Sequence, residues 1–156
     1  MKTLFVIPEI RLDGNPSNIP FWAGILASII QQKNGDVAIL DLNALRMNHG
    51  GRLVPSKIIA EEIASEKWDI IGIGGLTTTY SRIKSLAPLI RKHSPDSIFI
   101  AGGGWCSYNP TEILQLVPEL DLICIGEGEE TFSEFYDIVS AGQKDFEDVN
   151  GLCIRE

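Results

Sequence analysis

Short apolar runs alternate along this chain with longer stretches in which apolar residues recur at helical spacing. The short runs are rich in β-branched residues and predict five strands, at 3–8, 36–42, 69–75, 97–104 and 121–126. The stretches between and after them predict helices at 18–35, 55–68, 80–94, 109–117 and 129–142. The last residues, 151–156, predict a further short strand or the start of another segment.

The order of these elements predicts the fold class. Five strand–helix units with nearly continuous apolar strands are typical of a parallel sheet that is covered by helices on both faces. The flavodoxin-like strand order 2-1-3-4-5 suits five such units. We therefore expect an α/β, flavodoxin-like (Rossmann-like) domain over residues 1–150, with 151–156 as the start of a linker or a final short strand.

The segments that follow four of the strands have unusual compositions. In such sheets, ligands bind beyond the carboxyl ends of the strands, near the switch in strand order. The segments read PEIRLDGNPSNIPF after strand one, GGLTTTY after strand three, GGGWCSYNP after strand four and GEGEET after strand five. This pattern predicts a ligand site at one end of the sheet without identifying the ligand.

The third and fourth segments each allow a structural and a functional interpretation. One hydroxyl of Thr77–Thr79 is enough to cap the next helix, and the other two are available to a polar ligand. Consecutive glycines at 102–104 permit a sharp turn and the close approach of a flat or bulky group. No GK[ST] follows them, which argues against a phosphate-binding P-loop.

The fifth segment combines three carboxylates with two glycines. Glu129 and Glu130 have a structural explanation, because the helix dipole stabilises negative charge at a helix N-terminus. Glu127 lies between the two glycines and lacks that explanation. We interpret it as an acceptor for a ligand that is rich in N–H donors, and the carboxylates as unfavourable for a phosphate-rich one.

Composition and charge narrow the function classes. The 156 residues carry a formal net charge of -8, which argues against nucleic-acid or anionic-membrane partners. No apolar run approaches the roughly 20 residues that a membrane span needs. Cys106, Cys124 and Cys153 form no CxxC pair and no zinc pattern, so we expect no metal site and a reduced, cytoplasmic setting.

Catalytic motifs are absent from the sequence. It contains no GxSxG, no HExxH and no Cys/His pair at informative spacing. Asp41 as a receiver-type phosphate acceptor is a rival interpretation. It fails because receivers place paired acids after strand one and a lysine after strand five, where this chain reads PEIRLDG and GEGEET. We expect no catalytic residue here.

Several segments together resemble a known family. They are DIIGIGGLTTTYSRIKSLAPLIRK, SIFIAGGGWCSYNPTEIL and LDLICIGEGEETFSEF, of which the GEGEETF run is the most specific. They resemble the N-terminal cobalamin-binding domain of cobalamin-dependent radical SAM enzymes. The closing DVNGLCIRE resembles the segment that leads into their catalytic barrel. The resemblance covers nearly the whole chain, but Pro8-Glu9 and Trp22-Ala23-Gly24 depart from the family's usual residues.

The resemblance implies that cobalamin is held at the carboxyl ends of the strands. The implied cofactor-binding residues are Gly75, Leu76, Thr77, Thr78, Thr79, Gly102, Gly103, Gly104, Gly126, Glu127, Gly128 and Glu129. The first loop lacks the histidine of a DxHxxG motif, and the chain's two histidines, His49 and His93, are expected to lie elsewhere. The cofactor is therefore expected to bind base-off, with its benzimidazole tail between the third and fourth loops.

The implied partners are a corrinoid and a radical SAM catalytic domain in the same parent chain. Because this chain has no CxxxCxxC, the iron–sulfur cluster and S-adenosylmethionine would belong to that missing domain. The chain alone is thus not expected to be an enzyme. Two alternatives remain: a degenerate domain of the same family that binds no cobalamin and packs against a catalytic barrel, or an unrelated small-molecule-binding flavodoxin-like domain.

Overall fold

A computed structural model describes residues 1–10 and 19–155. Within them the chain forms six strands: β1 (Lys2–Ile7), β2 (Asp36–Asp41), β3 (Ile70–Gly74), β4 (Ile98–Gly102), β5 (Leu122–Cys124) and β6 (Leu152–Ile154). The helices are α1 (Phe21–Gln32), α2 (Leu42–Met47), α3 (Ser56–Ala64), α4 (Tyr80–His93), α5 (Pro110–Leu116) and α6 (Glu129–Ser140). One turn of 3-10 helix, Thr77–Thr79, precedes α4. None of the described helices combines the length and the apolar character needed to cross a membrane.

The strands form one sheet in the order β2-β1-β3-β4-β5-β6. The first five are parallel, so the predicted fold class and the order 2-1-3-4-5 are confirmed. The sheet has six strands rather than five, because β6 adds to β5 in the antiparallel direction. Gly151, with φ +84°, lies at the tight reversal before β6, and its carbonyl accepts the N–H of Ile125 at 2.8 Å. β6 thereby covers an edge of β5 that would otherwise be unpaired.

Side chains alternate along each parallel strand between two buried clusters. In β1, Leu4 and Val6 pack on the face that α3, α4 and α5 cover. Phe5 and Ile7 point to the opposite face, which α1 and α6 cover. Helices therefore cover both faces of the sheet, as predicted. The alternation matters for function because it decides which strand residues reach the space between α1 and α6.

Two parts of the chain differ from the sequence-based expectation. No element is predicted between the strand at 36–42 and the helix at 55–68, but the structure has the short helix α2 there. Asp41 caps this helix by accepting the backbone N–H of Asn43 at 2.8 Å and that of Ala44 at 3.4 Å. The predicted helix over 18–35 is observed from Phe21, directly after Pro20. Residues 11–18 of the first loop lie outside the described residues.

Candidate functional site

A cleft of about 480 Å³ opens at the carboxyl ends of the parallel strands. It lies on the sheet face that is covered by α1 and α6. Its walls come from the ends of β1, β3 and β4, from the first turns of α1 and α6, and from the loop between β5 and α6. The cleft is therefore at the position that the strand order predicts for a ligand.

The deep part of the cleft, called the floor below, is apolar, and half of its residues are aromatic. It consists of Phe5, Ile7, Trp22, Ile100, Cys124 and Phe132. The Phe5 ring lies 5.5 Å from the ring of Trp22, at an interplanar angle of 74°. It lies 5.6 Å from the ring of Phe132. Such edge-on and tilted rings form a wall that accepts a further flat apolar group.

Two glycines in β3 allow these rings to lie against the sheet. A Cβ atom at Gly72 would be 2.7 Å from Cδ1 of Phe5, and one at Gly74 would be 2.8 Å from Cζ2 of Trp22. Any larger residue at either position would displace an aromatic ring. The sequence analysis did not assign these glycines or Trp22 to the site. The available signal was a pair of glycines inside a strand, which marks a close approach by another group.

The loops after β3 and β4 touch through their backbones. Gly103 has φ +95°, and a Cβ atom there would be 2.6 Å from the carbonyl oxygen of Gly75. The loops after β4 and β5 are joined through Ser107. Its hydroxyl accepts the N–H of Gly126 at 3.3 Å and donates to the carbonyl of Gly103 at 3.0 Å. The loops after β3, β4 and β5, three of the four that were predicted to form the site, are thus in direct contact with one another.

We expect Gly103→Ala to destabilise the fold. An alanine at this φ is strained by about 1–2 kcal/mol, and its Cβ would also push against backbone that has no easy way to move. Chemical denaturation should give a free energy of unfolding lower by about 2 kcal/mol or more. Gly104→Ala is the control, because a Cβ atom at Gly104 meets nothing within 4 Å. Equal stability of the two variants would contradict the close contact.

Carboxylates border the mouth of the cleft. Glu127 is exposed between Gly126, with φ +74°, and Gly128, while Glu129 is half-buried in the first turn of α6. Glu127 and Glu129 are called the acidic rim below. The side-chain N–H donors among the lining residues belong to Trp22 and Asn43. The Asn43 amide is already engaged, because it donates to the Pro8 carbonyl at 2.9 Å and to Asp41 at 3.2 Å. Among the described residues, the side chains that line the cleft are consequently rich in acceptors and poor in donors.

Nine of the twelve predicted site residues line this cleft. They are Gly75, Leu76, Gly102, Gly103, Gly104, Gly126, Glu127, Gly128 and Glu129. The three threonines do not. Thr79 is buried and donates its hydroxyl to the carbonyl of Leu76 at 2.7 Å, while Thr77 and Thr78 are exposed beside the cleft. A role for the threonines in binding stays a prediction.

A buried ion pair fixes the chain where it leaves β1, and the sequence analysis missed it. The Glu9 carboxylate is fully buried and accepts Nε of Arg82 at 2.7 Å, Nη2 of Arg82 at 3.0 Å and the N–H of Val54 at 3.1 Å. On the other side, Asn43 accepts the N–H of Ile10 at 2.9 Å. The first loop therefore starts from a stem that is anchored to α2, to α4 and to the segment before α3.

The cysteines and histidines do not form a reactive centre among the described residues. Burial raises the pKa of the Cys106 thiol to about 12 and that of the Cys124 thiol to about 11, so both thiols are neutral near pH 7. His93 is the last residue of α4 and therefore lies toward the amino ends of the strands, away from the cleft. His49 follows α2 and does not line the cleft. In residues 1–10 and 19–155, no group of three or more His, Cys, Asp and Glu side chains is arranged to hold a metal ion.

Residues 15–136, more than three quarters of the chain, match the model of the B12 binding domain. The chain belongs to the B12-binding domain family. The resemblance drawn from the sequence and the cobalamin cofactor that it implied are confirmed at the level of this family. The shape and chemistry of the cleft in this B12-binding domain are therefore compared with those of cobalamin.

Similar proteins extend this comparison. An uncharacterized methyltransferase of Pyrococcus horikoshii is 26% identical over 160 residues, which cover 100% of this chain and 33% of the relative. The radical S-adenosylmethionine methyltransferase TsrM of Kitasatospora setae, solved with cobalamin and a [4Fe-4S] cluster, superposes with a TM-score of 0.80 at 19% identity. The cobalamin-dependent S-adenosylmethionine radical enzyme OxsB, solved with aqua-cobalamin and S-adenosylmethionine, gives 0.79 at 20% identity.

These proteins are much longer than the B12-binding domain described here. The match covers 98% of this chain but 28% of TsrM, and 97% of this chain but 20% of OxsB. The two superpositions show that the folds are the same. The rest of each enzyme lies outside the part that this domain matches.

Proposed function

We propose that this domain binds cobalamin in the cleft at the carboxyl ends of its strands. The observation that carries the proposal is the combination of an apolar aromatic floor with an acidic rim in a single cleft of a B12-binding domain. The nucleotide tail of cobalamin ends in a flat, apolar dimethylbenzimidazole, which suits the floor. The amide side chains of the corrin present N–H donors, which suit the acidic rim.

The local geometry of the cleft fits a large, flat ligand. Gly104 and Gly126 face open space, because a Cβ atom at either position meets nothing within 4 Å. These glycines leave the mouth free for the corrin, while the linked backbones of Gly75 and Gly103 form one side of the passage toward the floor. Glu127 then accepts amide N–H groups of the corrin, and the negative charge of the acidic rim disfavours phosphate-rich ligands.

We expect the bound cofactor to be base-off, with no protein histidine on cobalt. His49 and His93 lie outside the cleft lining, so neither is placed at the lower face of a corrin at its mouth. The absorption spectrum of the complex should be of the base-off type, and it should be the same for His49→Ala. A spectrum that shifts in the His49→Ala complex would show that this histidine ligates cobalt and would contradict the proposal.

The catalytic partner in this proposal is a radical SAM domain of the same parent chain. It would hold the iron–sulfur cluster and S-adenosylmethionine, and the present domain would contribute the cobalamin. In support of this, TsrM was solved with cobalamin and a [4Fe-4S] cluster, and OxsB with aqua-cobalamin and S-adenosylmethionine; this fold matches 28% and 20% of those longer chains. Under this proposal, residues 1–150 form the cofactor-carrying domain, and residues 151–156, which include β6, are the final short strand toward the catalytic domain.

The direct test is retention of the cofactor by purified protein. The chain is incubated with hydroxocobalamin, desalted, and measured for cobalamin absorbance per mole of protein. We expect close to one equivalent to remain. Protein that elutes colourless at micromolar concentration would exclude cobalamin binding.

Exposed apolar side chains around the mouth favour a second candidate function, packing against another domain. Ile19 is 71% exposed, Phe21 72% and Leu76 55%, and all three line the cleft. Such a group of exposed apolar residues marks an interaction surface. A degenerate domain would use this surface for packing alone. The same retention experiment separates the two candidates, since a degenerate domain would keep no cobalamin.

A further inference from the structure

We propose that the floor of the cleft selects corrinoids by their lower base, and that Trp22 is a specificity-determining residue for this choice. This inference rests on the proposed binding of cobalamin in the cleft. Corrinoids share the corrin ring but differ in the lower base, which is a benzimidazole in cobalamin and a purine such as adenine in other members of the class. The chemistry of the floor treats these two bases differently.

The floor offers no free acceptor among its side chains. Four of its six residues have pure hydrocarbon side chains. The other two are Trp22, whose side-chain nitrogen is an N–H donor, and Cys124, whose thiol is buried. The adenine amine brings two N–H donors, which would lose their water without gaining a partner. Dimethylbenzimidazole brings methyl groups instead, which gain from apolar burial.

Two backbone carbonyls beside the floor already accept hydrogen bonds. The carbonyl of Gly102 accepts Nε1 of Trp105 at 3.0 Å, and that of Gly103 accepts the Ser107 hydroxyl at 3.0 Å. The carboxylates that remain belong to the acidic rim and to Asp41, whose Oδ1 caps α2. Among the described residues, the side chains of the floor therefore give an adenine amine no oxygen or nitrogen acceptor in exchange for the water that it loses.

Trp22 is the residue of α1 that borders the floor, so its size and polarity set the space and the polarity on that side. Its ring lies over Gly74, in the space that a Cβ atom would otherwise fill, and packs edge-on against Phe5. Trp22 is half-buried in the first turn of α1, so the side chain can be changed without opening the main core. A residue with a side-chain carbonyl at this position would supply the missing acceptor.

The test compares the dissociation constants of three corrinoids: hydroxocobalamin, its adenine-bearing counterpart, and cobinamide, which lacks the base. For the unchanged chain we expect the adenine form to bind about 10- to 100-fold more weakly than cobalamin, the range set by one buried amine without partners. In Trp22→Gln this ratio should fall toward one. Trp22→Phe, which keeps an apolar ring, should retain it.

Ile25→Gln is the matched control, because Ile25 lies on α1 outside the cleft lining, and it should leave the ratio unchanged. Equal affinity of the unchanged chain for the cobalamin and adenine forms would overturn the selectivity alone. The same ratio in Trp22→Gln as in the unchanged chain would overturn the role of Trp22. Absence of binding for all three corrinoids would overturn the proposed function together with this inference.

Discussion

Gly104→Leu should weaken cobalamin binding by about 100-fold while leaving the fold intact. Gly104 lines the cleft at its mouth, and a Cβ atom there meets nothing within 4 Å, so the leucine side chain can be accommodated in the free protein. It would occupy space that the corrin needs. Steric overlap of this kind costs about 3 kcal/mol of binding free energy, which corresponds to the expected loss of affinity of about 100-fold. Titration followed by absorbance measures it.

Gly24→Leu provides the control for this substitution. Gly24 lies in α1, is exposed, and also has open space around a Cβ atom, but it does not line the cleft. We expect cobalamin affinity close to that of the unchanged chain, with slightly higher stability because glycine is unfavourable inside a helix. Unimpaired binding by Gly104→Leu would mean that the corrin lies elsewhere.

Glu9→Gln should lower the free energy of unfolding by about 3 kcal/mol. The substitution removes the negative charge but keeps an oxygen that can still accept the Val54 N–H. Arg82, whose side chain is 17% exposed, would be left largely buried without its counter-charge. Breaking a buried ion pair from one side costs about 3–5 kcal/mol, and the residual exposure of Arg82 favours the lower end of that range. Urea denaturation at pH 7 gives the value.

Glu61→Gln repeats the same chemical change in an exposed pair and serves as the reference. Glu61 lies 3.9 Å from Lys57 one helical turn away, and both side chains are mainly exposed. We expect a loss below about 0.5 kcal/mol. A Glu9→Gln protein that is as stable as Glu61→Gln would show that the pair with Arg82 does not anchor the chain after β1.

The sequence was sufficient to predict the sheet because its information is local. Each parallel strand is a short apolar run between turn-forming residues, and the order 2-1-3-4-5 is the common doubly-wound order that suits five strand–helix units. The glycine loops after β4 and β5 could be assigned to the site for the same reason, since they follow directly on strands. β6 was left open between a strand and a linker because its antiparallel pairing depends on the free edge of β5, which is a tertiary property.

What the sequence could not supply are contacts between residues far apart in the chain. Glu9 and Arg82 are 73 positions apart, and neither lies in a motif. Trp22 reaches the floor only because Gly74, in another element, leaves room for its ring. In the threonine run, the Thr79 hydroxyl donates to the Leu76 carbonyl because the chain turns there into a 3-10 helix. Ligand contacts of Thr77 and Thr78 stay a prediction.

A crystal structure of the chain with bound hydroxocobalamin would show directly where the cofactor lies. We expect the benzimidazole tail on the floor, in contact with Trp22 and Phe132. We expect the corrin at the mouth, over Gly104 and within reach of Glu127. Cobalamin bound at another surface of the domain, or bound here with its tail in solvent, would contradict the proposal.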